Sequence, residues 1–212
     1  MAATQTGWIE ITDVESLVEL VGTPLPRVRD KVRQALHDLD RQWLAASPFC
    51  LIATSAQDGS CDVSPKGDPA GQLAYVLDDH TIAIAERPGN RRVDGYQNIL
   101  SNPHVGLLFM IPGRGDTLRI NGRARLVADA PFFDQMIVKG HRPILALLVE
   151  IEEVFHHCAK AFLRSQLWQP ETWTDPVPPR PVIAHELDAK DQSVEQLTTY
   201  YGEQYAAKLY AP

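Results

Sequence analysis

The sequence predicts a mainly β, α+β fold in which an antiparallel barrel, closed or partly closed, is surrounded by helices. Residues 117–127 alternate strictly between polar and apolar side chains, which is typical of a strand with one buried face. Short apolar segments are joined by tight turns such as Asp58-Gly59, and strands do not alternate regularly with helices. These observations favour hairpins over a parallel sheet.

Each element follows from a local pattern. The first 46 residues are expected to be helical, with Thr12 or Asp13 capping a helix to Leu20 and residues 28–44 showing helical apolar spacing. Apolar runs between turn residues predict strands at 49–55, 60–64, 73–76, 81–85, 104–111, 117–127 and 144–155. Asp129, followed by Pro131, predicts a helix to about residue 139, and further helices are expected at 159–168 and 191–209. Five prolines in residues 169–185 predict an irregular linker.

The composition argues against several classes of partner and binding site. The net charge of −7 and the pI of about 5.5 argue against a nucleic-acid partner, which favours a basic surface. No apolar run approaches the roughly 20 residues of a membrane span, and the first residues lack the pattern of a signal peptide. Three cysteines without a Cys-x-x-Cys motif argue against a disulfide framework and a zinc site. We therefore expect no membrane association, no metal and a cytoplasmic location.

Two arginines mark the most informative segment, RPGNRRVDGYQNILSNPHVGLLF. Arg91 and Arg92 precede a predicted short helix, whose N-terminus carries a partial positive charge and disfavours cations. A phosphate held by free backbone N–H groups and guanidinium groups would relieve that repulsion. The alternative is a pair of solvated arginines. No Gly-x-Gly-x-x-Gly or P-loop motif is present, so a nucleotide-like phosphate would bind outside those schemes.

Other segments could complete such a site. Ser64 and Lys66 offer donors to the same anion, although the segment also reads as an ordinary turn. Thr117 and Arg119, near the start of the alternating strand, could lie beside a ligand, or belong to a solvated face. Lys160, Arg164 and Trp168, spaced i, i+4 and i+8, would line one helix face, either for a phosphate and a flat ring or as a surface helix docked by its tryptophan.

These segments resemble the pyridoxamine 5′-phosphate oxidase-like, FMN-binding split-barrel family. The resemblance spans about residues 45–170 and rests on SPKGDP, ERPGNRR, PGRGDTLRING and HCAKAFLRSQLW, in the order of one branch of FMN-dependent enzymes. It implies a six-stranded split barrel, an FMN cofactor and a homodimer. The implied regions are a helical segment packing on the barrel (1–46), the barrel (47–168), and a Pro-rich linker with a C-terminal helix (169–212).

The resemblance also implies site residues. Arg91 and Arg92 match the pair that grips the FMN phosphate. The strand passing the flavin falls on residues 62–66, with Val63 as a backbone donor, Ser64 and Pro65 beside the ring, and Lys66 near the phosphate or ring edge. Thr117 replaces a glutamine of the family, with Arg119 beside it, and the helix from the partner subunit falls on Lys160, Arg164 and Trp168.

The expected function is an FMN-dependent oxidoreductase acting on a small molecule, with NAD(P)H as a candidate reductant. A non-catalytic FMN storage or sensor protein, and a split barrel for deazaflavin or haem, are the alternatives. No counterpart of the oxidase's C-terminal Arg-Leu-His-Asp-Arg-like substrate motif is found in TTYYGEQYAAKLYAP. We therefore expect little pyridoxamine phosphate oxidase activity, and no residue stands out as a general acid or base.

Overall fold

The computed structural model describes residues 7–207 and 209–210, which divide into two compact units, residues 1–32 and 33–212. The first unit holds helix α1 (Val14–Val21), whose cap Asp13 accepts from the Ser16 backbone N–H at 2.8 Å, and the four-residue helix α2 (Pro26–Arg29). None of the described helices is long and apolar enough to cross a membrane.

The second unit is built on a seven-stranded sheet. Its strands are β1 (Phe49–Ser55), β2 (Cys61–Gly67), β3 (Ala74–Val76), β4 (Thr81–Ala85), β5 (His104–Met110), β6 (Thr117–Val127) and β7 (Ala146–His157). They lie in the order β2-β1-β5-β6-β7-β4-β3, and all neighbouring strands pair antiparallel. The predicted mainly β, antiparallel fold is confirmed. The seven strands correspond to the seven apolar runs of the sequence, one more than the six strands that the family resemblance implied.

The main core lies on one face of this sheet. Alternate residues of β1 (Cys50, Ile52) and of β7 up to the middle of that strand (Leu147, Val149, Ile151) point into it, as a period of two requires. Helix α3 (Asp38–Ala46) covers part of this face with Trp43 and Leu44. The opposite face of β4 is also buried, because Phe133 and Met136 pack on Ala83 and Ala85.

A β-bulge interrupts β6 and β7. Asn121 pairs with Glu153 and Gly122 with Ile151, so Glu152 has no opposite residue. A Cβ on Gly122 would lie 2.0 Å from the Glu150 carbonyl oxygen, which explains the glycine at this position. Beyond the bulge the inward phase of β7 changes from odd to even residues, with Val154 fully buried.

A buried carboxylate fixes α3 to β7. Asp40 is 1% exposed and accepts hydrogen bonds from the Arg33 guanidinium, the His37 backbone N–H at 2.8 Å and His156 Nε2 at 3.0 Å. Burial by itself would raise the pKa of Asp40, but these partners, Arg33 foremost, hold it below its usual value. Asp40 is therefore a charged anchor in the second unit.

Helix boundaries are where sequence patterns were least accurate. The helix predicted at 28–44 is confirmed only over its last residues, in α3. Helix α2 ends at Arg29, Arg33 pairs with Val154 in a β-bridge, and a capping box formed by His37 and Asp40 begins α3. The helix expected at 129–139 is a 3₁₀ segment, Pro131–Met136, because Asp129 caps nothing and accepts instead from Arg142 at 2.7 Å.

The C-terminal helices also differ from expectation. Helix α5 (Lys160–Ser165) ends before the predicted residue 168 because Gln166 adopts a left-handed conformation. Helix α4 (Asp94–Ser101), earlier in the chain, does lie where a short helix was predicted. The Pro-rich segment contains a 3₁₀ turn, Pro170–Thr172, and α6 (Arg180–Leu187). The single helix expected at 191–209 is broken at Gly202 into α7 (Val194–Tyr200) and α8 (Glu203–Ala207).

Candidate functional site

A narrow cleft lies between α4 and the strands β1 and β2. The cleft is lined by Ile52 and Thr54 of β1, Ser64 and Lys66 of β2, Arg92 and Val93 before α4, and Gly95, Tyr96 and Ile99 of α4. Ser64 and Lys66 point to the same side because they are two residues apart on one strand. The cleft has an apolar floor and a polar, cationic end.

Helix α4 is fixed beside the strands by a buried polar network. Asn98, 8% exposed, donates to Thr54 Oγ1 at 3.1 Å and to Asp62 Oδ2 at 2.7 Å. A Cβ on Gly95 would lie 3.3 Å from Thr54 Oγ1, so the missing side chain permits this close approach. The start of α4 is thereby held against β1 and β2.

Of the two arginines singled out by the sequence, Arg92 lines the cationic end of the cleft and Arg91 precedes it in the chain. Arg92 pairs with Asp94 in the first turn of α4, and this carboxylate raises the pKa of Arg92. Arg91 adopts a left-handed conformation with φ of 60°, and no ion pair of Arg91 is found in the described part of the chain. Val93 caps α4 without a side-chain bond, which leaves the first N–H groups available to an anion.

A second charged group lies deeper in the cleft. The Glu86 carboxylate, immediately after β4, accepts from Lys66 Nζ and from the Tyr96 hydroxyl, and Lys66 Nζ lies 5.0 Å from the centroid of the Tyr96 ring. Burial, and then Glu86, raise the pKa of the Tyr96 phenol, which stays protonated at neutral pH. Sequence reasoning missed Glu86 and Tyr96, although a charged residue directly after the apolar strand Thr81–Ala85 was a signal.

The neighbouring residues of β2 face the other side of the sheet. Val63 is 61% exposed and, with Arg119 and Asn121, lines an open groove that also reaches Thr54. Pro65 shares this outward orientation, since it lies two residues after Val63. The segment 63–66 is thus divided between the cleft and the groove on the outer face, which we call the outer groove.

Four further predicted residues also lie away from the cleft of their own chain. Thr117 is 3% exposed and pairs with His157 in the sheet, so the expectation of an open polar face fails at that position. Lys160 and Arg164 are exposed on α5, and Trp168 lies beyond the end of that helix. The Trp168 indole donates to the Arg114 carbonyl oxygen at 2.7 Å and stacks on Phe162 at 5.9 Å.

No cluster of three or more metal-ligating side chains lies close enough to hold a metal ion within residues 7–207 and 209–210. Cys50 is buried, and burial raises the pKa of its thiol to about 12. Cys61 is exposed because its strand position faces outward at the β1–β2 turn.

The chain is similar to several solved structures. HupZ of Group A Streptococcus is 17% identical, covering 57% of this chain and 93% of that one with a TM-score of 0.46. A Lactobacillus delbrueckii protein named for pyridoxamine 5′-phosphate oxidase is 23% identical, with coverages of 58% and 95% and a TM-score of 0.46. A pyridoxamine 5′-phosphate oxidase-related, FMN-binding protein of Nostoc punctiforme is 12% identical, with coverages of 63% and 84% and a TM-score of 0.41.

The search of curated proteins found no match. The family model of pyridoxamine 5′-phosphate oxidase matches residues 36–158, which include the whole sheet and the cleft. Because this match covers more than half of the sequence, the chain belongs to the pyridoxamine 5′-phosphate oxidase family.

Proposed function

We propose that this protein binds FMN in the α4 cleft and acts as an FMN-dependent oxidoreductase on a small molecule. The observation that carries the proposal is the convergence of Arg92, the uncapped start of α4, and Ser64 on one end of a cleft with an apolar floor. A phosphate dianion needs such donors, and a flat ring needs such a floor.

The residues present suit each part of FMN. Arg91 and Arg92 precede the helix start and would hold the phosphate, and the half-buried Asp94 would yield Arg92 to the stronger anion. Ile52, Val93 and Ile99 supply apolar surface for the ring, while Ser64 and Lys66 supply hydrogen bonds. When bound, FMN would supply the hydride and electron transfer, and the chain would bind and orient it.

We also propose that the site is completed in a homodimer. The outer groove is open, and α5 presents Lys160 and Arg164 next to the exposed Leu163, 69% exposed. In the family to which this chain belongs, the matching helix serves the flavin of the other subunit. The same residues of a second copy would therefore reach the cofactor.

Titration with FMN and riboflavin tests the phosphate assignment. Riboflavin lacks the phosphate, so we expect FMN to bind at least about tenfold more tightly, since charge-assisted contacts contribute roughly 1.5–3 kcal/mol each. In the R91A/R92A variant that preference should disappear while the far-UV circular dichroism stays unchanged.

The matched control is R125A/K190A, which also removes two positive charges but at exposed positions outside the cleft. It should keep the preference for FMN. Equal wild-type affinity for FMN and riboflavin would refute the phosphate assignment. A Soret or deazaflavin absorption band in the purified protein would support the alternative cofactors, and FMN binding without turnover of NAD(P)H or another donor would support a storage or sensor role.

A further inference from the structure

The deeper charged group of the cleft joins three separate elements. Lys66 comes from β2, Tyr96 from α4 and Glu86 from the chain just beyond β4, and Glu86 accepts from both of the others. Lys66 and Tyr96 line the cleft, whereas Glu86 stands behind them. No other hydrogen bond of Lys66 Nζ occurs among the described residues, so two of its three donors remain for a ligand.

The Lys66–Glu86 ion pair is more buried than the Arg92–Asp94 pair at the other end of the cleft. The Lys66 and Glu86 side chains are 18% and 26% exposed, compared with 76% and 39% for Arg92 and Asp94. An exposed pair is weak and exchanges partners readily, whereas separating a partly buried pair leaves a desolvated charge. An incoming phosphate should therefore recruit Arg92 and leave Lys66 on Glu86.

We propose that Glu86 is a positioning residue that neutralises and holds Lys66, reserving this lysine for the uncharged part of the bound flavin. The inference rests on the proposed function and deepens it. With Glu86 in place, Lys66 contributes equally to ligands with and without a phosphate. Without Glu86, its positive charge becomes available to the dianion, and the preference for FMN over riboflavin rises.

Three variants test whether Glu86 keeps Lys66 from binding the phosphate. E86Q keeps the shape and an acceptor for Tyr96, and should raise the ratio of FMN to riboflavin affinity about tenfold, since a dianion gains an uncompensated cation. The double variant K66M/E86Q leaves no buried charge unpaired. It should bind both ligands more weakly while keeping the wild-type affinity ratio. E186Q, a control with the same charge change on an exposed residue of α6, should change nothing.

A second measurement needs no flavin. An amine-reactive ester added to ligand-free protein, followed by peptide mass spectrometry, reports the reactivity of Lys66. E86Q should accelerate labelling of Lys66 severalfold, because the ammonium group loses its carboxylate partner. If E86Q accelerates labelling but the wild-type protein binds no FMN, the proposed function is refuted, whereas the pairing of Lys66 with Glu86 in the wild-type protein is supported. An unchanged affinity ratio in E86Q, or a ratio that falls in K66M/E86Q, would overturn the inference about Glu86.

Discussion

Single residues determine how charge is distributed in this protein. Two carboxylates, Glu86 and Asp94, each take one cation of the cleft, so the unliganded site is less positive than its sequence indicates. The sequence pattern identified Ser64, Lys66 and Arg92, which the fold brings to one cleft. It could not identify Glu86, because that carboxylate reaches Lys66 only when β2 and the end of β4 come together, 20 residues apart in the chain.

Asp40 gives the first stability prediction. D40N should lower the free energy of unfolding at pH 7 by about 2–4 kcal/mol, because it leaves Arg33 without its carboxylate, and Arg33 is 37% exposed, which moderates the loss. The pKa of Asp40 is lowered in the folded protein. Its contribution to stability is therefore complete above the pKa of the unfolded chain, about 4, and is lost as the pH falls through the folded pKa.

Urea unfolding of wild type and D40N at pH 7, 5 and 3 measures the contribution of Asp40 to the free energy of unfolding. The difference in unfolding free energy should be constant from pH 7 to 5 and shrink below the unfolded pKa. D188N is the control, since Asp188 and Arg180 form an exposed pair with side chains 53% and 52% exposed, expected to contribute about 0–1 kcal/mol. Equal losses in the two variants would contradict the buried anchor.

At the scale of elements, strands were predicted better than helices. Alternation in residues 117–127 corresponds to β6, and Asp58-Gly59 does join β1 to β2. The helix predicted at 28–44 failed before α3 because its apolar spacing says nothing about the β-bridge of Arg33 to Val154 or the capping box at His37. The bulge in β7 was equally hidden, since a strict period of two carries no information about a skipped residue.

Gly122 supplies the prediction for this scale. G122A should destabilise the fold by about 2–4 kcal/mol, because its Cβ would overlap the Glu150 carbonyl oxygen and force the strands apart. G106A on neighbouring β5 is the matched control, since its Cβ would meet Asn121 Oδ1 at an ordinary 3.4 Å. Thermal unfolding followed by circular dichroism compares them, and similar melting temperatures for the two variants would count against the close approach.

At the scale of the whole molecule, a single chain does not bring all of the predicted cofactor residues into one site. Eight of the eleven predicted cofactor residues lie outside the α4 cleft, and three of these are on or just beyond α5. The proposed homodimer would account for this division, because the α5 residues of a second copy would then complete the site. A single-chain fold could be anticipated from alternation and turns, whereas the arrangement of two copies could not.

Assembly is therefore the last prediction. We expect a homodimer with two flavin sites, and W168A should weaken FMN binding severalfold through the loss of a stacked indole. W173A is the control, since Trp173 is 60% exposed and its indole bonds only to the Leu167 carbonyl oxygen among the contacts described for it. Sedimentation and FMN titration measure both variants, and a monomer that binds FMN tightly would refute the shared site.

The bulge between β6 and β7 also limits how the length of this chain can vary. Glu152 is the extra residue, and it sets which side of β7 every later residue occupies. Loss of that one residue would restore a regular ladder and turn Val154 and His156 outward, with Phe155 brought inside. An insertion or deletion of a single residue here would thus be more disruptive than most substitutions, and natural variation in length is expected in the turns instead.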